Sequence, residues 1–191
     1  GEGNYAERDI KEAARAFTGW SVDPESGEFL FRRFQHDDGV KTVLGRSGNF
    51  DGDAVLDILL AQPQTAEFIV AKLWREFVSP TPDTQEVKRI ARVFADSRYE
   101  IKAALRALLT SDAFYAPQNR GLLIKSPVDL VIGTLRQFSF TTGEPTPFAF
   151  TTAQLGQNLF APPNVKGWPG GEAWINSTTL LARKEFLGLP E

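Results

Sequence analysis

Within six residues, from His36 to Lys41, the segment HDDGVK gathers an imidazole, two carboxylates and an ammonium group. A histidine beside a carboxylate can serve as a general base, with Asp37 orienting His36 and Lys41 stabilising an anion or pairing with Asp37. The bland alternative is that Asp38–Gly39 makes a two-residue hairpin turn and its charged neighbours are solvated at the tip. A second cluster, NVKGWPGGEAW, runs from Asn164 to Trp174. Trp168 and Trp174 offer flat faces to a sugar ring or an aromatic ligand, and Asn164 and Lys166 offer hydrogen bonds. Gly167, Gly170 and Gly171 allow backbone amides to approach a ligand closely. The opposing structural reading is a loop folded back over helices, with its tryptophans plugging the core.

Other chemistry-bearing patterns fail on residue type. His36 is the only histidine and cysteine is absent, so disulfides, thiolate nucleophiles and zinc sites built from paired histidines and cysteines are excluded for this chain alone. The segment DGDAVLDILLAQ begins like a calcium loop, but Val55 and Gln62 fall where oxygen ligands belong and the central glycine is missing. GRSGNFDG lacks the lysine and hydroxyl residue of a phosphate loop, and no nucleophile-elbow pattern occurs. No metal site and no cofactor is expected. Lys125, just before a helix start, reads as a surface cation.

The 191 residues carry a formal charge of -3, with 42% hydrophobic and 24% charged residues, which is the composition of a soluble globular protein. An acidic balance argues against nucleic acid as a partner, because phosphate backbones require a concentrated basic face. No apolar run approaches the roughly 18 residues of a membrane span. Methionine is also absent, so the chain is expected to be a piece of a longer protein.

The elements that must position both clusters read as mainly α: about eight helices in one domain, 1–191, with one small hairpin near residues 28–45. Ile10, Ala13, Ala14 and Phe17 have helical spacing and stop at Gly19. A hairpin turning at Asp38–Gly39 would set Phe34 opposite Val43 and His36 opposite Lys41, with a bulge near Arg32 and Arg33 to reconcile Phe29 and Phe31. Asp51 caps the next helix, which halts at Pro63. Pro63 then opens a helix predicted to bury Phe68, Ile69, Leu73, Trp74 and Phe77. Asp83 and Glu86 have capping-box spacing, and Ile101, Ala104, Leu105, Leu108 and Leu109 form an apolar stripe. Ser126 caps a helix with proline in its first turn, SFTTGEPTPF reads as a loop, TTAQLGQNLF as a short helix, and Asn176 as the cap of the terminal helix.

The segments ARAFTGW, HDDGVKTVLG, DGDAVLDILLAQP, KLWREFVS, LIKSPVDLVIGTLR, PPNVKGWPGGEAWINS and LLAR follow one another in an order that resembles the C-terminal half of the bacterial family called domain of unknown function 1800. The resemblance covers nearly the whole chain. It implies mostly helical proteins about twice this length, often with export signals and encoded beside a second uncharacterised family similar to sulfatases. It implies no reaction. On this footing the chain is expected to be a binding or scaffold module of an exported bacterial protein, with its ligand site in loop 161–177. The partner would be a glycan or a protein, or the N-terminal half of the parent. The alternative is a hydrolase or transferase using His36, Asp37 and Lys41, with Lys166 as a further anion stabiliser, although about 130 positions separate His36 from Lys166. A third reading has this half simply supporting an active N-terminal half.

Overall fold

The computed structural model describes residues 3–188, which contain nine α-helices and two separate two-stranded antiparallel sheets. The protein is therefore mainly helical. Its chain divides into two compact units, Gly1–Ala71 with Val87–Ala104, and Lys72–Glu86 with Leu105–Glu191.

The first unit opens with α1 (Glu7–Ala16), followed by β1 (Trp20–Val22) and β2 (Phe29–Phe31), which pair Ser21 with Leu30. Asp23 closes their connection by accepting the amides of Glu25 and Ser26 at 3.0 and 2.9 Å. Then β3 (Lys41–Val43) pairs with β4 (Arg46–Gly48), Val43 lying opposite Arg46. Leu44 and Gly45 alone connect them, at φ 48° and 77°. Two consecutive positive φ values are what a tight hairpin turn of the right twist requires. Leucine is a poor resident of that region, but Leu44 is held there by the hydrogen bond its backbone N–H donates to the Asp9 carboxylate at 2.8 Å and by packing on the core.

The hairpin predicted to turn at Asp38–Gly39 is not formed. Residues Arg33–Gln35 make a single 3₁₀ turn where a bulge was expected, and His36 faces no strand partner in Lys41. The cause is local: the Asp37 carboxylate accepts the Gly39 amide at 2.8 Å and binds Arg15, so segment 36–40 is tied back to the end of α1. Strand β3 takes its neighbour from the next five residues instead.

Asp51 caps α2 (Gly52–Leu60) by accepting the Ala54 amide at 2.9 Å. Ala16, Val43, Val55 and Ile58 form the buried core here, with Ala13, Phe17, Leu44 and Phe50 against it. Fully burying each valine or isoleucine side chain contributes roughly 1.5–3 kcal/mol. Helices α3 (Pro63–Phe77) and α4 (Thr84–Asp96) each have residues in both units. The stripe buried along α3 is Ala66, Val70 and Trp74, whereas Phe68 and Phe77 stay 55% and 41% exposed. Of the expected stripe, Trp74 is buried and Ile69 and Leu73 are half-buried, and Ala66 and Val70 take the fully buried positions in place of the two phenylalanines.

In the second unit, Trp74 is sealed and its indole N–H donates to the Ser79 hydroxyl at 2.9 Å, which satisfies a group that burial would otherwise penalise. Helix α5 (Ile101–Leu109) crosses from the first unit and buries Ala104 and Leu108, while Ile101 is largely exposed. After the short α6 (Asp112–Tyr115) comes α7 (Pro127–Gln137), capped by Ser126, whose hydroxyl accepts the Asp129 amide at 3.1 Å. Helix α8 (Thr146–Gln154) starts five residues before the predicted TTAQ segment, with Pro147 in its first turn. Leu130, Val131 and Leu155 form the core, with Phe148, Ala182 and Phe186 around them. The chain then runs through the tryptophan loop to α9 (Ser177–Leu187), capped by Asn176 through the Thr179 amide at 2.9 Å.

Candidate functional site

The two clusters belong to different units, and each is built by its own local rules. In the first unit, α1 supplies Asp9, Glu12 and Arg15 at a spacing of three, so all three project towards one side. Asp9 accepts the Leu44 amide at 2.8 Å and Glu12 accepts the Thr42 amide at 3.0 Å. Two carboxylates thus satisfy the amide edge of β3 that no strand covers. Those amides hold the carboxyls of both acids below their usual range; for Asp9 the Ala6 amide is the larger influence.

Arg15 ties α1 to segment 36–40. It binds Glu12 through Nη1 and Asp37 through Nε at 2.7 Å and Nη2 at 3.1 Å. The guanidinium, followed by the Gly39 amide, draws the Asp37 carboxyl down to about 2, and both acids push the arginine above its normal value. The carboxylate of Asp37 is therefore committed to Arg15. His36 finds its orienting partner elsewhere: Nδ1–H donates to the Thr18 carbonyl at 2.8 Å. A carbonyl can only accept, so in the neutral ring Nε2 carries the lone pair. The ring is half-buried beside Phe31, with centroids 5.5 Å apart. Lys41 points inward with Val43, because alternate strand residues share a face, and is completely buried. Its ammonium donates to the Asp37 carbonyl and to Asn49 Oδ1. His36, Asp37 and Lys41 are neighbours, but each side chain is directed to a separate task.

In the second unit, Pro163, Trp168, Pro169, Ala173, Trp174 and Leu155 help to line a cavity of about 250 Å³. Trp174 ends a 3₁₀ turn and is 6% exposed, and its carbonyl accepts the Thr179 hydroxyl at 2.9 Å. It forms the fixed back of the cavity, while Trp168 is a half-buried wall. Gly167 and Gly170 sit at φ 85° and 74°, which makes the loop's sharp turns accessible without a Cβ clash. Asn164 and Lys166 are exposed and are not among the lining residues. The Asn164 side chain instead accepts the Lys166 amide at 2.8 Å, a local turn. Of the four loop residues selected from sequence, the structure brings the two tryptophans together and leaves the asparagine and lysine outside.

A larger cavity, about 560 Å³, lies in the first unit and includes Tyr5, Asp9, Ile10, Phe17, Leu59 and Phe68 in its lining. Sequence reasoning missed it, since Ile10 and Phe17 belong to the apolar stripe assigned to the core. Ile10, 55% exposed, shows that this stripe is only partly covered, and Tyr5 in the same lining is 52% exposed. Among the described residues, no group of three histidine, aspartate or glutamate side chains is arranged to hold a metal ion. No single described helix is long and apolar enough to cross a membrane.

A search of curated proteins and a search of solved structures each returned no match. A scan against family models matched residues 1–188 to the protein family of unknown function DUF1800. Because the match spans nearly the whole chain, the protein belongs to the DUF1800 family.

Proposed function

We propose that this chain is a binding module, acting through the tryptophan-lined cavity of loop 161–177, within an exported bacterial protein. The observation that carries the reading is the pairing of a buried Trp174 with a half-exposed Trp168 around one cavity. One indole is buried as scaffold and the other, half-exposed, retains surface for a ligand. Phe160 adds to this: it precedes the lining residue Ala161, sits at φ 61° and leaves its ring 99% exposed. An aromatic residue in the left-handed region is strained, and such strain concentrates at ligand contacts. The ligand is a glycan or a protein segment, because both present flat or apolar faces to indole.

The alternative reading, a hydrolase or transferase centred on His36, draws support from its unengaged Nε2. It has less behind it, since Asp37 and Lys41 are occupied by Arg15 and by the Asp37 carbonyl. The test is affinity electrophoresis through a panel of soluble polysaccharides, alongside capture of denatured-protein peptides on an array. Trp168→Ala should lower the retained fraction at least about fivefold at an unchanged far-UV circular dichroism spectrum. Retention identical to the parent chain in both formats, or none by the parent chain itself, would reject the proposal.

A further inference from the structure

The cavity of the first unit has a chemical character distinct from that of the tryptophan loop. Its volume, about 560 Å³, falls within the range that takes a whole small molecule. Its walls are mainly apolar, with contributions from Ile10, Phe17, Val55, Leu59 and Phe68, and Asn4, Gln62, Gln64 and Thr65 add polar groups. Among the lining residues one is an acid, Asp9, and none is lysine or arginine. Arg8 is close enough to act on Asp9 but is not part of the lining. The carboxylate of Asp9 cannot swing away, because its two oxygens accept the Ala6 and Leu44 amides, each at 2.8 Å. Each carboxylate oxygen offers about two acceptor sites, so capacity remains after these bonds.

Aromatic rings supply the second part of the argument. Tyr5, Phe17 and Phe68 belong to the same lining as that fixed negative charge. Ring faces carry negative electrostatic potential and attract ammonium groups, more strongly where water is partly excluded. Within this lining the Asp9 carboxylate and the Tyr5 and Phe17 rings attract positive charge, and no lysine or arginine belongs to it. We propose that this cavity binds an organic cation, with an alkyl or aryl body on the apolar walls and a substituted ammonium head against Asp9 and the aromatic rings. The site is independent of the tryptophan loop.

Calorimetric titration of the full chain with three probes of similar length tests this: hexyltrimethylammonium, 1-heptanol and heptanoate. The ammonium probe should bind at least about tenfold more tightly than either of the others, which share its apolar body. Asp9→Asn should bring the ammonium probe to the level of the alcohol and leave the alcohol unchanged. Tyr5→Ala, at an exposed position that leaves the Asp9 bonds intact, should weaken the ammonium probe selectively, and it decides the matter if Asp9→Asn does not fold. Equal affinity for heptanoate and the ammonium probe overturns the proposal, as does undiminished ammonium binding by both variants. A dimer that Tyr5→Ala dissociates and that the ammonium probe does not compete with would also overturn it, making the cavity a contact between copies of the chain.

Discussion

Asp37 has two independent reasons to remain ionised, the bidentate Arg15 guanidinium and the Gly39 amide, and its carboxyl titrates near 2. The sign of the consequence follows from linkage: a carboxyl lowered on folding contributes stability above its unfolded value of about 4, and loses that contribution as pH falls through the folded value. The difference in urea midpoint between the parent chain and Asp37→Asn should therefore be constant above about pH 4 and shrink between about pH 4 and 2. A difference that does not change over that window would mean that the Arg15 pairing is absent in solution. The same pairing shows how much of the HDDGVK geometry was legible in the sequence. Sequence proximity implied that Lys41 lies near Asp37, and its ammonium donates to the Asp37 carbonyl. It could not reveal Arg15, 22 positions away, as the partner of Asp37, nor that Lys41 would occupy an inward strand position. Lysine almost never appears there without a partner, and here two oxygens satisfy it.

At the scale of elements, caps and breakers were the legible features. Asp51, Ser126 and Asn176 each accept the amide their side chains were expected to take, and Pro63 begins α3. These signals act within one turn, so neighbouring residues decide them. Strand pairing depends on competing partners further away, and there the Asp38–Gly39 signal lost to side-chain bonds from α1. The two-residue Leu44–Gly45 turn was hidden because leucine is an unusual choice for positive φ. The start of α2 shows the same dependence on distant groups. Gly52 is buried, and a Cβ there would press on the Trp20 ring and approach Phe17 Cδ1 to 2.8 Å. Trp20 in turn meets Phe17 and Phe29 edge-on, at centroid distances of 5.1 and 5.3 Å. Gly52→Ala gains up to about 1 kcal/mol of helix propensity in principle, less at a helix start, against roughly 1–3 kcal/mol for overpacking. The steric term should win, giving a net loss of about 1–2 kcal/mol and a weaker near-UV tryptophan signal. Unchanged stability would mean that Trp20 moves aside without cost.

For the whole molecule, the arrangement of the chain matters more than any one contact. Each unit has its own apolar cluster, Ala16, Val43, Val55 and Ile58 in one, Leu130, Val131 and Leu155 in the other. Two cores alone would allow two melting transitions. The helices argue otherwise: α3 passes from one unit to the other between Ala71 and Lys72, α4 returns between Glu86 and Val87, and α5 crosses again between Ala104 and Leu105. If one unit unfolded alone, all three helices would have to break in their interiors, and each break leaves up to four amides and four carbonyls without intrahelical partners. Helix continuity therefore couples the units through the backbone itself, and a single cooperative transition is expected. Val55→Ala and Val131→Ala remove fully buried methyl groups in different units, 1% and 0% exposed in the parent chain. Each should cost about 2 kcal/mol and lower one shared midpoint by roughly 4–8 °C in both far-UV and near-UV circular dichroism. Two resolved transitions, each shifted only by the variant in its own core, would show that the shared helices fray at the boundary and that the units melt as separate domains.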